Sequence, residues 1–329
     1  MEPLPTINQP VPVKLIFNPI AGAVAESPLQ LMDVINELQA RNMVPETYLV
    51  EPGSDLSLII QDALRKDIRM FVVSGGDGTI ESVAGELIGT DTTLGIIPTG
   101  TRNNVAHSLG IPEDIPSAVS LLRTGRRIEM DVGFATCGGQ SRIFMETCSI
   151  GLLSALFPAA DDIQHGNLAR IGDFLATLFA SPLAEFHLFM DSQPEINTLG
   201  HVVLIANLPY IGPRFQIPCD SSFNDGLLDV LVFPDQSKLD LLNNIIQLAG
   251  GGPEKPRILH YRVKAVDIHT QPMMPVMADG FSLGDGPLSI SIRKCALTVM
   301  AGETCPTVNT GKECLDGVVM SNLNTLVKA

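Results

Sequence analysis

The chain lacks an excess of positive charge. Across 329 residues, 21 Lys and Arg stand against 36 Asp and Glu, a formal net charge of −15. That balance weighs against a nucleic-acid partner held through its phosphates and against a polybasic membrane anchor. Long apolar runs are also missing. The longest uncharged one, residues 147–160, contains Pro158 and is shorter than the roughly 18 residues a spanning helix needs. The start, Met1-Glu2-Pro3-Leu4-Pro5, has neither the basic beginning nor the apolar block of a signal peptide. Six cysteines (Cys137, Cys148, Cys219, Cys295, Cys305, Cys314) form no Cys-x-x-Cys pair and no metal-ligand spacing, and the six histidines are scattered. The thiols are therefore read as reduced and packed. Internal repeats and low-complexity segments are lacking. The expectation is a cytoplasmic protein with no transmembrane segment and no nucleic-acid partner.

What is present fits a folded globular chain, with 45% hydrophobic and 17% charged residues. The length favours about two domains of roughly 150 residues each. After a proline-punctuated leader, residues 1–12, the run Val13-Lys14-Leu15-Ile16-Phe17 reads as a buried strand that stops at Asn18-Pro19-Ile20-Ala21-Gly22. Ser27 and Pro28 open a helix with Leu31, Val34, Ile35 and Leu38 on one face. A strand near 47–50 and a helix from about Asp55 lead to Met70-Phe71-Val72-Val73, which breaks into Ser74-Gly75-Gly76-Asp77-Gly78-Thr79. A further helix over 80–88 and a strand over 94–97 end at Pro98-Thr99-Gly100-Thr101-Arg102-Asn103-Asn104.

Strands alternating with helices imply a parallel sheet covered on its faces, and such sheets bind ligands beyond the carboxyl ends of their strands. Three polar loops fall at those ends. Glycine-rich backbone can approach a polyphosphate closely, and a following helix adds its positive N-terminal end. The single carboxylate of Asp77 would repel bare phosphate, which suggests a bridging Mg2+, as accompanies ATP. From about Arg126 short extended segments dominate: 128–134, 141–150, 185–190, 200–206, 227–233, 261–268, 288–292 and 297–300. Helical pieces interrupt them near 167–179 and 238–248. The expected fold is α/β plus β: a Rossmann-like nucleotide domain over 13–125, a β-rich domain over 126–306, and a tail over 307–329 without an assigned role.

With these residues laid out, the chain resembles the diacylglycerol kinase catalytic-domain family, in particular its soluble bacterial lipid kinases, which share the architecture of sphingosine kinases. Asn18 to Gly22 is similar to the family's Asn-Pro-x-Ser-Gly loop, Ser74 to Thr79 to its Gly-Gly-Asp-Gly-Thr signature, and Gly100 to Asn104 to Gly-Thr-x-Asn-Asp. Asn224-Asp225-Gly226-Leu227-Leu228-Asp229 resembles Asp-Gly-x-Leu-Asp, and Asp279-Gly280-Phe281 stands where Asp-Gly-Glu is expected. The resemblance implies an N-terminal nucleotide domain, a C-terminal β-sandwich supplying the lipid site, and ATP-dependent phosphorylation of a diacylglycerol-like lipid hydroxyl in the cleft between them. It implies nucleotide contacts from Asn18, Gly22, Gly75, Gly76, Gly78, Thr79, Thr101 and Asn103. Asp77 would act through water on the Mg2+ of ATP. Asp131 would support the catalytic network, and a second, structural Mg2+ would lie at Asp225 with the backbones of Ser222 and Leu227.

The departures fall on the chemistry. Phe281 replaces the glutamate that serves as general base, Asn104 replaces an acid, and Ala23 and Val24 follow the first loop in place of a basic residue. Val50 stands where a nucleotide-contacting threonine is expected. A missing base costs a rate of order 10²–10⁴-fold, and Asp279 or Asp285 could supply one, Asp279 being the expected base. Alternatives stay open: a degenerate member that binds nucleotide or lipid as a regulator, or a kinase of NAD, which shares Gly-Gly-Asp-Gly-Thr. Asp279-Gly280 also reads as a plain hairpin turn, and residues 149–160 as buried core in place of an acyl-chain pocket. The lipid is expected to be reached by transient, peripheral contact with a membrane, since no anchor is present and each favourable basic residue contributes only about 1 kcal/mol. The oligomeric state is open, a homodimer included.

Overall fold

The computed structural model describes residues 9–22, 27–164, 167–191, 194–208, 210–211, 215–216, 222–234, 237–238, 240–241 and 258–303. Most of the helix expected over 238–248, and the tail over 307–329, lie outside them. The chain divides into two compact units. The first runs to Val132 and takes back the chain from Lys294; the second holds Gly133–Arg293.

In the first unit β1 (Val11–Phe17), β2 (Met43–Leu49), β3 (Met70–Gly75) and β4 (Thr93–Pro98) pair in parallel in the order β4-β3-β1-β2. Every residue of β3 and β4 is buried, and in β1 only Pro12 is exposed. Both faces of the sheet are therefore covered, which explains why these strands read as unbroken apolar runs. Lys14, buried in β1, stands opposite Glu46 of β2 and pairs with it at 2.8 Å. The connections are α1 (Ser27–Ala40), α2 (Leu56–Arg65) and α3 (Asp77–Leu87). Asp55 caps α2, accepting from the N–H groups of Ser57 and Leu58. After β4 come a short helix, α4 (Asn104–Ser108), and α5 (Ile115–Thr124), capped by Asp114 and closed by Gly125. Neither helix is among the expected elements, although Asp114, Pro116 and Gly125 are start and stop signals for α5.

The second unit is antiparallel. β5 (Arg126–Cys137) starts in the first unit and pairs in the second with β6 (Gln140–Phe144). The others are β7 (Thr147–Gly151), β8 (Ala184–Met190), β9 (Ile196–Ala206), the pair β10 (Tyr210–Ile211) and β11 (Phe215–Gln216), β12 (Leu228–Pro234), β13 (Leu259–Val263), β14 (Ala265–Gln271), β15 (Pro275–Ala278), β16 (Phe281–Asp285) and β17 (Leu288–Ala301). The order is β16-β15-β7-β9-β8-β14-β17, with β12 pairing β9 and β13. β8 buries alternate residues, Ala184, Phe186, Leu188 and Met190, as a strand with one covered face must. The core around Phe144, Phe186, Val230 and Ile268 gathers residues from β6, β8, β12 and β14, a β-sandwich-like body.

Two of the differences from the sequence reading have local causes. The single segment expected over 141–150 is two strands, because the chain turns at Met145-Glu146. The two segments expected at 288–292 and 297–300 are one strand, β17, carrying Cys295 at φ 50°. Residues 149–160 hold the end of β7 and the start of α6 (Leu152–Gln164), where Leu152 and Leu156 pack with Leu178, Leu204 and Phe233. That is core packing, joined by α7 (Ile171–Ala180).

Candidate functional site

The three glycine loops of the first unit lie against one another. Asn18 donates its N–H to the Ser74 carbonyl at 2.9 Å, and Thr99 donates to the Gly75 carbonyl at 3.2 Å. The Asn18 side chain bridges further, its Nδ2 donating to Thr79 Oγ1 at 2.8 Å while its Oδ1 accepts from the Ile20 N–H. Glycine is required where the loops touch. Gly22 has φ 64° and a Cβ there would collide with the Thr99 carbonyl; one on Gly100 would collide with Gly76 Cα.

Asp77 sits at the start of α3 and reaches across to α4. Its Oδ2 accepts from the Asn104 N–H and its Oδ1 from the Val105 N–H, both at 3.2 Å. It thus caps a helix to which it does not belong. The residue at the usual cap position, Asn103, has φ 53° and closes a ring on Gly100 instead, accepting from its N–H at 3.0 Å and donating to its carbonyl at 2.9 Å. Asn104, which replaces an expected acid, therefore contributes through its backbone. Burial pushes the Asp77 carboxyl above its usual range, against the pull of Val105, Asn104 and Arg102. A half-buried carboxylate beside glycine loops and a helix N-terminus has the chemistry to take a cation-bridged phosphate. Gly76, Gly78 and Thr79 are half-buried and Thr101 is exposed.

Asp131, 1% exposed on β5, accepts from the Cys295 N–H at 2.7 Å. The bond holds β17 at its one residue of positive φ, a tie across residues far apart in sequence.

In the second unit Asp279 and Gly280 are the two-residue turn between β15 and β16, with φ 43° and 86°. The Asp279 carboxylate accepts from Met145 N–H at 2.6 Å, from Thr147 N–H at 2.8 Å, and from Glu146 N–H at 3.1 and 3.2 Å on its two oxygens. Its own N–H donates to the Thr147 carbonyl. The carboxylate is the clasp of the turn between β6 and β7, which the sequence reading took as continuous strand. Phe281, 40% exposed, carries the Arg142 guanidinium 3.7 Å over its ring centroid.

Asp225 lies in the turn before β12. Its Oδ2 accepts from the Ser222 N–H at 3.1 Å and its Oδ1 from the Leu227 N–H at 2.9 Å. Arg262 of β13 donates from Nη2 to the same Oδ2, and its Nε lies 3.5 Å from Asp229 Oδ1. His260 Nε2 meets Asp229 Oδ1 at 2.7 Å. A guanidinium thus occupies the carboxylate that the expected metal site needs. Among the described residues no group of three or more His, Cys, Asp or Glu is placed to hold a metal ion. These residues do not suit a structural Mg2+.

The model of the diacylglycerol kinase catalytic domain matches residues 12–135, and that of the YegS C-terminal NAD kinase beta sandwich-like domain matches 175–301. A probable lipid kinase YegS-like protein of Klebsiella pneumoniae is 28% identical over 304 residues, covering 89% of this chain and 96% of its own. A diacylglycerol kinase of Staphylococcus carnosus is 23% identical over 291 residues, covering 81% and 87%. The crystal structure of a putative diacylglycerol kinase from Bacillus anthracis superimposes with a TM-score of 0.71 at 25% identity, over 88% of this chain and 95% of that one.

Proposed function

The chain belongs to the diacylglycerol kinase catalytic-domain family, and from that premise we propose that it transfers the γ-phosphate of Mg-ATP to the hydroxyl of a diacylglycerol-like lipid. The observation that carries the reading is the Asp77 carboxylate, set among three interlocked glycine loops and pushed above its usual range by burial. A half-buried carboxylate in that condition is relieved by a cation. The loops around Gly22, Gly75, Gly76, Gly78, Thr79 and Thr101 hold the phosphates, with Asn18 and Asn103 fixing the loop geometry. Asp77 orients the water shell of the Mg2+ that ATP brings.

In the transfer the lipid oxygen forms a bond to the γ-phosphorus as the bond to the ADP oxygen breaks, and the hydroxyl proton passes to water. Such a reaction depends mainly on positioning and charge neutralisation, so a site poor in general bases loses rate of order 10²–10⁴-fold without losing the reaction. Asp131 acts as a positioning residue through the Cys295 N–H. Asp279, whose lone pairs are spent on three backbone N–H groups, holds its turn first and is at best a weak base. Radiolabel transfer from ATP to a panel of lipid alcohols, abolished in Asp77→Ala, tests the reading; Mg-ATP binding with no transfer to any of them sinks it.

A second reading, a nucleotide- or lipid-binding regulator without chemistry, is favoured by Phe281 and its Arg142 partner at the expected base position. A large gain of transfer in Phe281→Glu would mark a decayed kinase. ATP consumption on adding NAD would favour an NAD kinase instead.

The lipid has to be met at a bilayer. No described helix is long and apolar enough to cross one, but Ile171, Leu175 and Phe179 stand exposed on one face of α7 at successive fourth positions, Phe179 at 66%. Each contributes roughly 1.5–3 kcal/mol on leaving water, and association alone costs about 4–15 kcal/mol. The contact is therefore transient, at the cytoplasmic membrane face. Flotation that stays strong after Leu175 and Phe179 are both changed to Asp would count against this face.

A further inference from the structure

The turn at Asp225 and the start of β12 hold two carboxylates that the fold does not leave alone. The side chains of Asp225 and Asp229 are 17% and 4% exposed, and Asp229 stands directly opposite Arg262 in the register of β12 with β13. Two residues before it on the same face of β13, His260 reaches the same oxygen of Asp229. Burying paired negative charge is costly unless positive charge or hydrogen bonds accompany it. A divalent ion is one solution, binding oxygen at close range and demanding several oxygen donors. A guanidinium is another, because its planar fork offers several N–H donors to more than one carboxylate at once.

Both cannot be used at the same oxygen. Arg262 donates to Asp225 Oδ2, which also takes the Ser222 N–H, while Oδ1 takes the Leu227 N–H. A cation there would face the guanidinium.

We infer that Arg262, seconded by His260, does in this chain the work of a divalent cation at Asp225 and Asp229, so that the second unit is built without a structural metal and removal of the guanidinium opens a site for a hard divalent ion. The inference is independent of whether phosphate is transferred.

The test uses the full chain in nucleotide-free buffer. Metal content and the melting midpoint are measured before and after chelation, then with added Mg2+ or Ca2+. The unaltered chain is expected to hold no stoichiometric divalent ion and to melt alike in all conditions; a retained ion, or a midpoint that falls on chelation, overturns the inference. Arg262→Gln is expected to melt lower in chelator and to recover part of the loss with Mg2+ or Ca2+. A loss that neither ion touches also overturns it, leaving an ordinary ion pair. If Arg262→Gln does not fold, Arg262→Lys keeps the charge and is expected to fold and melt without any response to divalent ions; a divalent-ion requirement in that variant is a refutation as well.

Discussion

Asp279→Asn separates a structural clasp from a catalytic base. Asparagine tolerates the left-handed conformation that Asp279 adopts at φ 43°, so the backbone of the turn is not itself disturbed. What changes is the acceptor set. The carboxylate serves three backbone N–H groups through four contacts of 2.6 to 3.2 Å. The amide keeps one oxygen and turns an NH₂ toward N–H donors. One hydrogen bond to a charged group is lost, at about 1.5–3 kcal/mol, and one buried donor is stranded, at about 1–3 kcal/mol. The sum is about 2.5–6 kcal/mol. For a unit of this size that lowers the melting midpoint by about 10 °C. Differential scanning calorimetry and transfer assays on one preparation decide the matter: the expected outcome is a large fall in midpoint, with residual transfer proportional to the folded fraction at low temperature. A variant that melts like the parent but has lost transfer would refute the clasp argument and return Asp279 to the role of base.

Asp77→Asn should abolish transfer and remove the pH dependence that Asp77 gives to stability. A carboxyl whose folded-state pKa is raised binds its proton more tightly when folded, so stability falls as pH climbs from the ordinary 3.8 through the raised value, and the penalty then stays. The variant escapes that penalty but turns an NH₂ toward the N–H of Asn104 or Val105 that the carboxylate accepts, so its melting midpoint relative to the parent's should be lowest in acid and rise toward neutral pH; a relative midpoint that does not rise would refute this. Gly100→Ala forces a Cβ against Gly76 Cα and to 2.8 Å from Asn103 Oδ1, neither free to yield, and should cost about 1–3 kcal/mol together with ATP affinity, measured by calorimetric titration. Gly172→Ala, with nothing within 4 Å of the added atom, is the neutral control. Asp131→Asn should lower kcat with little change in the KM for ATP, because it loosens the Cys295 tie without touching the glycine loops; a change confined to KM would contradict a positioning role.

The parallel sheet of the first unit is legible because its strands are buried on both faces and its loops carry glycine at each strand end. α4 was not legible for an opposite reason. Its five residues have no periodic face, and its cap, Asp77, lies 27 positions earlier in the chain. Asn103, expected to contact nucleotide, is engaged with Gly100, a bond that Gly-x-x-Asn spacing permits but does not announce. The guanidinium at Asp225 left a faint signal, since His260 and Arg262 alternate on one strand face. That β13 would pair with β12 to bring them opposite Asp229 is a long-range fact that no local pattern contains.

Phe281 differs from its two neighbours in what the fold asks of it. In the turn Asp279-Gly280-Phe281 the first two positions answer to the fold: positive φ at both, and a carboxylate satisfying three N–H groups of another turn. An Asp-Gly pair would be demanded here by a chain that catalyses nothing. The third position answers to much less. Phe281 begins β16, is 40% exposed, and meets Arg142 over its ring, so no buried packing dictates its identity. A glutamate would fit the same strand position and pair with the same arginine. The fold thus neither requires nor forbids a base at 281, and Phe281→Glu becomes an unusually clean substitution: any change in transfer it produces reports on chemistry, because the scaffold has no stake in the outcome.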